Sequence, residues 1–237
     1  MVQVTLMLLM PVMPVGVPGV VVPGAAHARL ARMRNLYVVT HPEADHHVRK
    51  LVGGWYDSAL TDRGIVAAQR IAADLGERIP RRETALLFSS DLRRTRQTAD
   101  PIGQRLGLSV HQDRNLREQT YGIADGTPAG STPYLPPPPH GDRMHHWDGN
   151  AGSEMRFQLA GRAYTALHRM LAAGAQDTVA VTHGGTATYL VAAWIGLPLE
   201  AAGYVKFQIS PGSITHLRED DVFHDRQVVS LNDTAHL

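Results

Sequence analysis

Hydrophobic residues in this chain fall into short β-rich runs that alternate with longer stretches of helical periodicity. Two of the runs share one design, in which an apolar segment ends in Thr-His, at residues 36–41 and 178–183. Short runs rich in Val and Thr are typical of buried strands, and Pro42 suits the start of a helix. Open α/β sheets bind ligands at the carboxyl ends of their strands, so His41 and His183 are candidates for one shared pocket.

The rest of the pattern predicts three long helices, with caps at Thr61 or Asp62 and at Ser90-Asp91, and a stop at Pro80. Their inner faces are Ile65, Ala68, Ala72 and Leu75; Leu92, Thr95, Ala99, Ile102 and Leu106; and Ala160, Ala163, Leu167, Met170 and Leu171. Further strands are predicted at 85–89, 108–110, 206–209, 213–217 and 227–231. This alternation indicates the α/β class, a three-layer α/β/α sandwich with a mostly parallel central sheet.

Two stretches interrupt the alternation. Residues 126–150 are rich in Pro, Gly, Asp and His and contain the stiff run Pro136–Pro139. Long irregular segments in compact domains often act as lids, so this segment is predicted to be a lid insertion in a domain spanning 33–237. Residues 1–32 are apolar but broken by prolines, and we expect a disordered extension, or a natural start at Met33. A signal peptide is the alternative, because small residues follow the apolar run, although a basic start is missing.

Composition narrows the function classes. The 237 residues carry a net charge of +1, which gives no bias toward nucleic acid or an anionic membrane. The chain has no cysteine, which excludes disulfides and thiol chemistry. Among 13 histidines, the pairs His46-His47 and His145-His146 lack the Cys/His spacing of a zinc site, so no metal or other cofactor is expected. We expect a cytoplasmic protein, with secretion as the alternative; a homodimer is left open.

Several short motifs follow one another between Leu36 and Leu237. They are Thr40-His41-Pro42-Glu43, Gly54–Thr61, Ser90–Ala99, Leu116–Gly122, Thr182–Gly185, Ser210–Thr215 and Leu231–Leu237. In order and spacing this set resembles the histidine phosphatase superfamily, the phosphoglycerate-mutase-like phosphatases. Any one motif is weak, and the whole series is specific. The resemblance implies the phosphoglycerate mutase-like version of the α/β/α sandwich.

The resemblance also implies a mechanism, the metal-independent hydrolysis of a small phosphorylated metabolite. His41 would be the nucleophile and form a phosphohistidine, while Arg94 and His183 would hold the phosphoryl oxygens. Glu118 would protonate the leaving group and then activate water. The remaining expected substrate-binding residues are Thr40, His47 and Gly184. Hydrolysis is favoured over mutase action, because cofactor-dependent mutases usually carry a larger insertion.

Three positions depart from the family pattern. Its first arginine is Thr40 here, its glycine is Pro42, and the asparagine found a turn later in many members is His47. Arginine grips phosphate with a planar, permanent charge. Losing such a contact costs about 2–4 kcal/mol of transition-state stabilisation, by analogy with an oxyanion donor. His47 or Lys50 is a candidate to replace that charge.

A second function class therefore stays open. It is a repurposed fold, either an enzyme for a non-phosphorylated substrate or a binding pseudoenzyme. The site residues also have ordinary interpretations. Arg94 lies between Arg93 and Arg96 on a polar helix face, where any of the three could be solvated. Glu118 beside Arg117 could be a surface ion pair that contributes little.

Overall fold

A computed structural model describes residues 33–237, and the predictions made for residues 1–32 lie outside the described part. The strands are β1 (Arg34–Thr40), β2 (Ala85–Ser89), β3 (Val110–Gln112), β4 (Asp177–Thr182), β5 (Ile214–Glu219) and β6 (Arg226–Asp233). The α-helices are α1 (Asp45–Val48), α2 (Asp62–Arg78), α3 (Arg93–Leu106), α4 (Arg156–Ala172) and α5 (Gly184–Trp194). Short 3-10 segments occupy Arg82–Thr84, Arg114–Leu116, Gly122–Ala124 and Leu199–Tyr204.

The strands form one six-stranded sheet in the order β3-β2-β4-β1-β5-β6. The first four strands in this order run parallel, and β5 and β6 join antiparallel. The predicted α/β class with a mostly parallel sheet is confirmed. The register between β1 and β4 pairs Thr40 with Thr182, so the two central strands end side by side.

Alternation along the strands divides the core between the two faces of the sheet. Leu36 and Val38 of β1 pack in one cluster with residues of α4 and α5. Tyr37 and Val39 pack in a second cluster with residues of α2 and α3. Because successive strand residues point to opposite faces, β1 contributes to both layers. These two clusters produce the helix–sheet–helix arrangement.

The second predicted helix start is wrong, whereas the first is confirmed. Thr61 caps α2 and accepts a hydrogen bond from Gly64 N at 3.1 Å. Helix α3 begins at Arg93 with Leu92 at the cap, and not at Ser90-Asp91. The Ser90 hydroxyl is engaged elsewhere, since it lies 3.0 Å from the ring of His183.

One residue of the predicted inner face of α2 points outward. Ile65 is 41% exposed, whereas Ala68, Ala72 and Leu75 are buried. The first turn of α2 packs through Gly64 against the Glu43 carbonyl, where an added Cβ would lie only 2.0 Å away. This close approach turns Ile65 toward solvent.

Other differences concern short segments. The helix expected near Pro42 begins at Asp45, and the strand expected at 108–110 is Val110–Gln112. The strand expected at 206–209 does not form, and this segment lines a cavity instead. Residues 126–150 contain neither helix nor strand. No helix in the described part of the chain is long and apolar enough to cross a membrane.

Candidate active site

The two Thr-His turns meet at the carboxyl ends of β1 and β4. The backbone N–H of His41 donates to the Thr182 carbonyl at 3.1 Å, which ties the turns together. The His41 and His183 rings meet edge to face, with centroids 5.1 Å apart, and both are buried. Both line one cavity, as the duplicated strand pattern predicted.

The hydrogen bonds of His41 define its reactive atom. Its Nδ1 lies 2.8 Å from the Pro42 carbonyl, which can only accept, so Nδ1 carries the proton. The lone pair is therefore on Nε2, which is 3.1 Å from Arg94 Nε. A neutral imidazole with its lone pair on Nε2 is a competent nucleophile for phosphorus once substrate takes the place of the Arg94 hydrogen bond.

Arg94 is a buried residue and not one of a solvated trio. Its side chain is 1% exposed and donates to the carbonyls of Gly54 and Tyr56, at 2.7 Å each, as well as to His41. Burial lowers the pKa of Arg94 to about 10, so it stays protonated at neutral pH. The guanidinium therefore brings a permanent positive charge to the nucleophile.

The histidines around Arg94 are neutral in the unliganded site. Burial, followed by the Arg94 charge, holds the pKa values of His41 and His183 well below the ordinary value of 6.5. Burial and the neighbouring His47 lower the pKa of His46 to about 3. A bound phosphate dianion would raise these pKa values, because an opposite charge favours the protonated form.

Glu118 is held at the edge of the cavity. Its Oε2 accepts from Gly185 N and its Oε1 from Gln119 N, each at 2.9 Å. Its carbonyl accepts from Trp55 Nε1 and from Arg162, both at 2.7 Å. The surface-pair interpretation does not hold, because Arg117 pairs with Asp91 at 2.6 and 2.7 Å. Both backbone and carboxyl of Glu118 therefore have a defined place.

Thr40 lines the cavity but offers no donor to a substrate. Its hydroxyl donates to the Ser210 carbonyl at 2.6 Å, and the side chain is 2% exposed.

His47 lies at the rim, with its ring stacked 5.5 Å from that of His41. Its Nδ1 accepts from Ala44 N at 3.2 Å, which leaves the N–H at Nε2. Partial desolvation at the cavity rim and the Arg94 charge lower the pKa of His47, so it supplies a neutral donor. Lys50 is not among the lining residues, so neither candidate restores the missing charge.

Gly184 begins α5 and also lines the cavity. The positive end of this helix therefore faces the space beside His183, a setting that favours anions. Four residues that hold or line this site have no functional role predicted from the sequence: Ser90, Tyr121, Gly185 and Arg162. Motif position would have indicated Ser90, Tyr121 and Gly185, which fall inside the matched segments. The role of Arg162 depends on contacts with residues more than 40 positions away.

Two adjoining cavities make up the site. The one around His41 has a volume of about 280 Å³, and the outer one about 920 Å³. They share five lining residues, Glu118, Tyr121, Gly184, Ile209 and Pro211. Five residues of the Pro-rich segment line the outer cavity, Tyr134, Pro137, Arg143, His146 and Asp148. The segment expected to act as a lid therefore lies beside the predicted nucleophile's pocket.

Comparison with known proteins agrees with this geometry. The chain belongs to the histidine phosphatase superfamily (branch 1), whose family model matches residues 36–234. A glucosyl-3-phosphoglycerate phosphatase of Mycolicibacterium vanbaalenii is 29% identical over 215 residues, covering 79% of this chain and 92% of the relative. A probable phosphoglycerate mutase of Yersinia pestis is 30% identical over 213 residues, covering 86% and 95%.

Solved structures are similar as well. A mycobacterial glucosyl-3-phosphoglycerate phosphatase in its native form has a TM-score of 0.66 and 27% identity, covering 86% of this chain and all 100% of its own. The same kind of enzyme in complex with inorganic phosphate has a TM-score of 0.66 and 26% identity, and the match covers 86% of this chain and 99% of that structure's chain. The phosphoglycerate mutase-like fold and the histidine-type phosphatase class expected from the sequence are confirmed.

Proposed function

We propose that this protein hydrolyses a phosphomonoester without a metal cofactor, through a phosphohistidine on His41. The observation that carries the proposal is the unprotonated Nε2 of His41, placed 3.1 Å from the buried Arg94 guanidinium. Phosphoryl transfer depends mainly on positioning and on stabilising charge at the equatorial oxygens, and Arg94 supplies that charge. The repurposed-fold alternative has no comparable support, because the buried cation, the nucleophile and Glu118 occur together.

The chemistry proceeds in two steps. His41 Nε2 forms a bond to phosphorus while the bond to the leaving oxygen breaks, and protonated Glu118 gives that oxygen its proton. Glu118 then takes a proton from water, whose oxygen attacks the phosphohistidine, which returns His41 and releases inorganic phosphate. Two further histidines can donate to the phosphoryl oxygens. His47 offers its N–H. The buried Nδ1 of His183 has no hydrogen-bond partner among the described residues.

The outer cavity supports a more specific substrate class. Arg143, Arg156 and Lys206 line it from three separate segments. Of the three acidic lining residues, Glu118, Asp148 and Glu154, only Glu154 has an ion-pair partner in the described part of the chain, Arg162 at 2.8 Å. Three basic side chains therefore stand against two unpaired carboxylates, and this positive excess favours a substrate with a second anionic group beyond its phosphate.

A phosphorylated glyceric acid that carries a sugar has this chemistry, and the glucosyl-3-phosphoglycerate phosphatases acquire their name from such a compound. We expect a substrate of that kind, with the carboxylate and the sugar in the 920 Å³ cavity. A small ester such as an aryl phosphate would leave most of this space empty.

A phosphatase screen tests both parts. It compares phosphoglycerate glycosides, sugar phosphates that lack a carboxylate, and aryl phosphates, with His41→Ala as the blank and EDTA present throughout. We expect turnover that needs His41, survives EDTA and leaves acid-labile, base-stable phosphate on the wild type. Arg143→Ala should raise KM for substrates that carry a carboxylate more than for those without one. Full activity in His41→Ala would overturn the mechanism, and isomerised phosphoglycerate without released phosphate would indicate a mutase.

A further inference from the structure

Three histidines that line the inner cavity form a cluster, and one of them, His46, has no role in the proposed hydrolysis. His41, His46 and His47 have ligand nitrogens that all lie within 4.8 Å of one another. The ring centroids of His46 and His47 are 4.0 Å apart, and those of His41 and His46 are 5.8 Å apart. Two histidines adjacent in the chain and the predicted nucleophile thus face one small space.

Each ring has a nitrogen that can bind a metal. His41 and His46 hold their Nδ1 atoms against the Pro42 carbonyl and the Ser58 hydroxyl, at 2.8 and 2.7 Å, so Nε2 is the metal-facing nitrogen of both. On His41 the ion must displace the 3.1 Å hydrogen bond from Arg94 Nε. Such partners at the second nitrogen orient metal-binding imidazoles in proteins. The lone pair of His47 is at Nδ1, where a metal ion must displace the 3.2 Å hydrogen bond from Ala44 N; His47 is an exposed residue.

We propose that His41, His46 and His47 bind a transition-metal dication such as Zn²⁺ or Cu²⁺, in competition with phosphate. A group of three imidazoles suits these ions and not Mg²⁺ or Ca²⁺, which prefer oxygen ligands. Zn–N bonds of about 2.0–2.1 Å place tetrahedral ligands roughly 3.4 Å apart, so the rings must close around the ion by rotation. Three protein ligands leave one position for water.

The two departures from the family motif favour this site. His47 supplies the third imidazole in place of the family's asparagine. Thr40, in the same cavity, stands where the family has an arginine, whose charge would repel a metal ion. Arg94 remains 3.1 Å from His41 Nε2 and opposes the metal, which keeps binding weak enough to be reversible.

Competition follows from the shared atom. The Nε2 of His41 cannot bind a metal ion and attack phosphorus at the same time. The enzyme is therefore inactive while the metal ion is bound, and phosphate compounds restore activity by displacing the ion. The binding claim rests on the cluster alone; inhibition rests also on the proposed function.

The test measures binding and not turnover. Full-length, tag-free protein is stripped with EDTA, dialysed, and titrated with ZnCl₂ by calorimetry; Cu²⁺ electron paramagnetic resonance then counts the bound nitrogens. We expect one reversible site per chain, with three bound nitrogens. Affinity should fall at least tenfold in His46→Ala and in His47→Ala, the low end of what even outer-shell partners contribute. The matched control His145→Ala, on an exposed ring paired with Asp142, should bind as the wild type does.

Inorganic phosphate should weaken zinc binding to the wild type, and Thr40→Arg should weaken it without phosphate. Equal zinc affinity in the wild type, His46→Ala and His47→Ala would overturn the site. Zinc affinity that does not change with phosphate would overturn the competition. A protein that binds zinc in this way and hydrolyses nothing would contradict the proposed function and leave the metal site standing.

Discussion

Arg94 donates from Nε to Nε2 of His41 at 3.1 Å, so the predicted nucleophile and the buried cation are in direct contact before substrate arrives. Arg94→Lys would keep the charge but lose the fork that also holds Gly54 and Tyr56. We expect kcat/KM to fall roughly 100- to 1000-fold, the range for one lost oxyanion donor. Steady-state kinetics measures this loss of kcat/KM, with Arg93→Lys as the control, because Arg93 is an exposed residue of the same helix. Equal losses in the two variants would show that Arg94 has no special role.

The lack of a side chain at Gly185 leaves room for the Glu118 carboxyl, because a Cβ at this position would lie 2.3 Å from Glu118 Oε1. Gly185→Ala should therefore displace the predicted proton donor and lower kcat by roughly 100-fold, a general acid–base contribution. Stability should hold, since alanine favours the helix by about 1 kcal/mol over glycine.

The control for this prediction is Gly161→Ala in α4, where nothing lies within 4 Å of the added Cβ. It should preserve activity and keep or raise the melting temperature. If Gly185→Ala turned over substrate at the wild-type rate, Glu118 would not be the proton donor in the position seen here.

His46 makes stability depend on pH. Its pKa is about 3 in the folded protein and about 6.5 when unfolded, so the unfolded state binds the extra proton below pH 6.5. Stability is therefore complete above pH 7 and falls as pH drops. Between pH 7 and 5 the contribution of His46 is about 2 kcal/mol, at 1.36 kcal/mol per unit.

Urea unfolding at several pH values, in the wild type and in His46→Asn, measures this contribution. The variant should lose less stability on acidification, by up to about 2 kcal/mol. His145→Ala, an exposed histidine, should follow the wild type. Parallel curves for the wild type and His46→Asn would mean that His46 is protonated in the folded state.

The Pro-rich segment is predicted to select the substrate. Tyr134 and Pro137 of this segment line the outer cavity. Residues 126–150 form no helix or strand. Deleting Pro136–Pro139 should change the ratio of kcat/KM values among substrates more than it changes the melting temperature. A uniform loss on all substrates together with a large fall in melting temperature would identify the segment as core scaffold.

Thr40 separates an altered phosphatase from a repurposed fold. Its hydroxyl donates to the Ser210 carbonyl at 2.6 Å and gives the cavity neither a donor nor a charge. Because Thr40 lines the cavity, an arginine in its place would add the missing charge. Thr40→Arg should raise turnover of an aryl phosphate by roughly 10- to 1000-fold, the span of one electrostatic contact.

Kinetics and circular dichroism of the wild type, Thr40→Arg and the hydroxyl-preserving control Thr40→Ser check this prediction. Thr40→Ser should show no gain. A folded Thr40→Arg that is inactive, beside an inactive wild type, would remove the phosphatase proposal and keep the fold.

The sequence by itself determined the strand and helix pattern, the family and the meeting of His41 with His183. These depend on local periodicity and on the rule that parallel strands end at one edge of the sheet. The outward direction of Ile65 has a tertiary cause, the close contact of Gly64 with the Glu43 carbonyl.

Only the tertiary structure decided which polar residues of the site are buried and what each one contacts. Arg94 resembles its neighbours Arg93 and Arg96 in sequence, and its burial comes from carbonyls about 40 positions away. Thr40 gives its hydroxyl to a residue 170 positions away, which no local pattern can show. Charge and hydrogen bonding in a cavity are set by groups brought together across the chain, so the chemistry of this site was decided by packing.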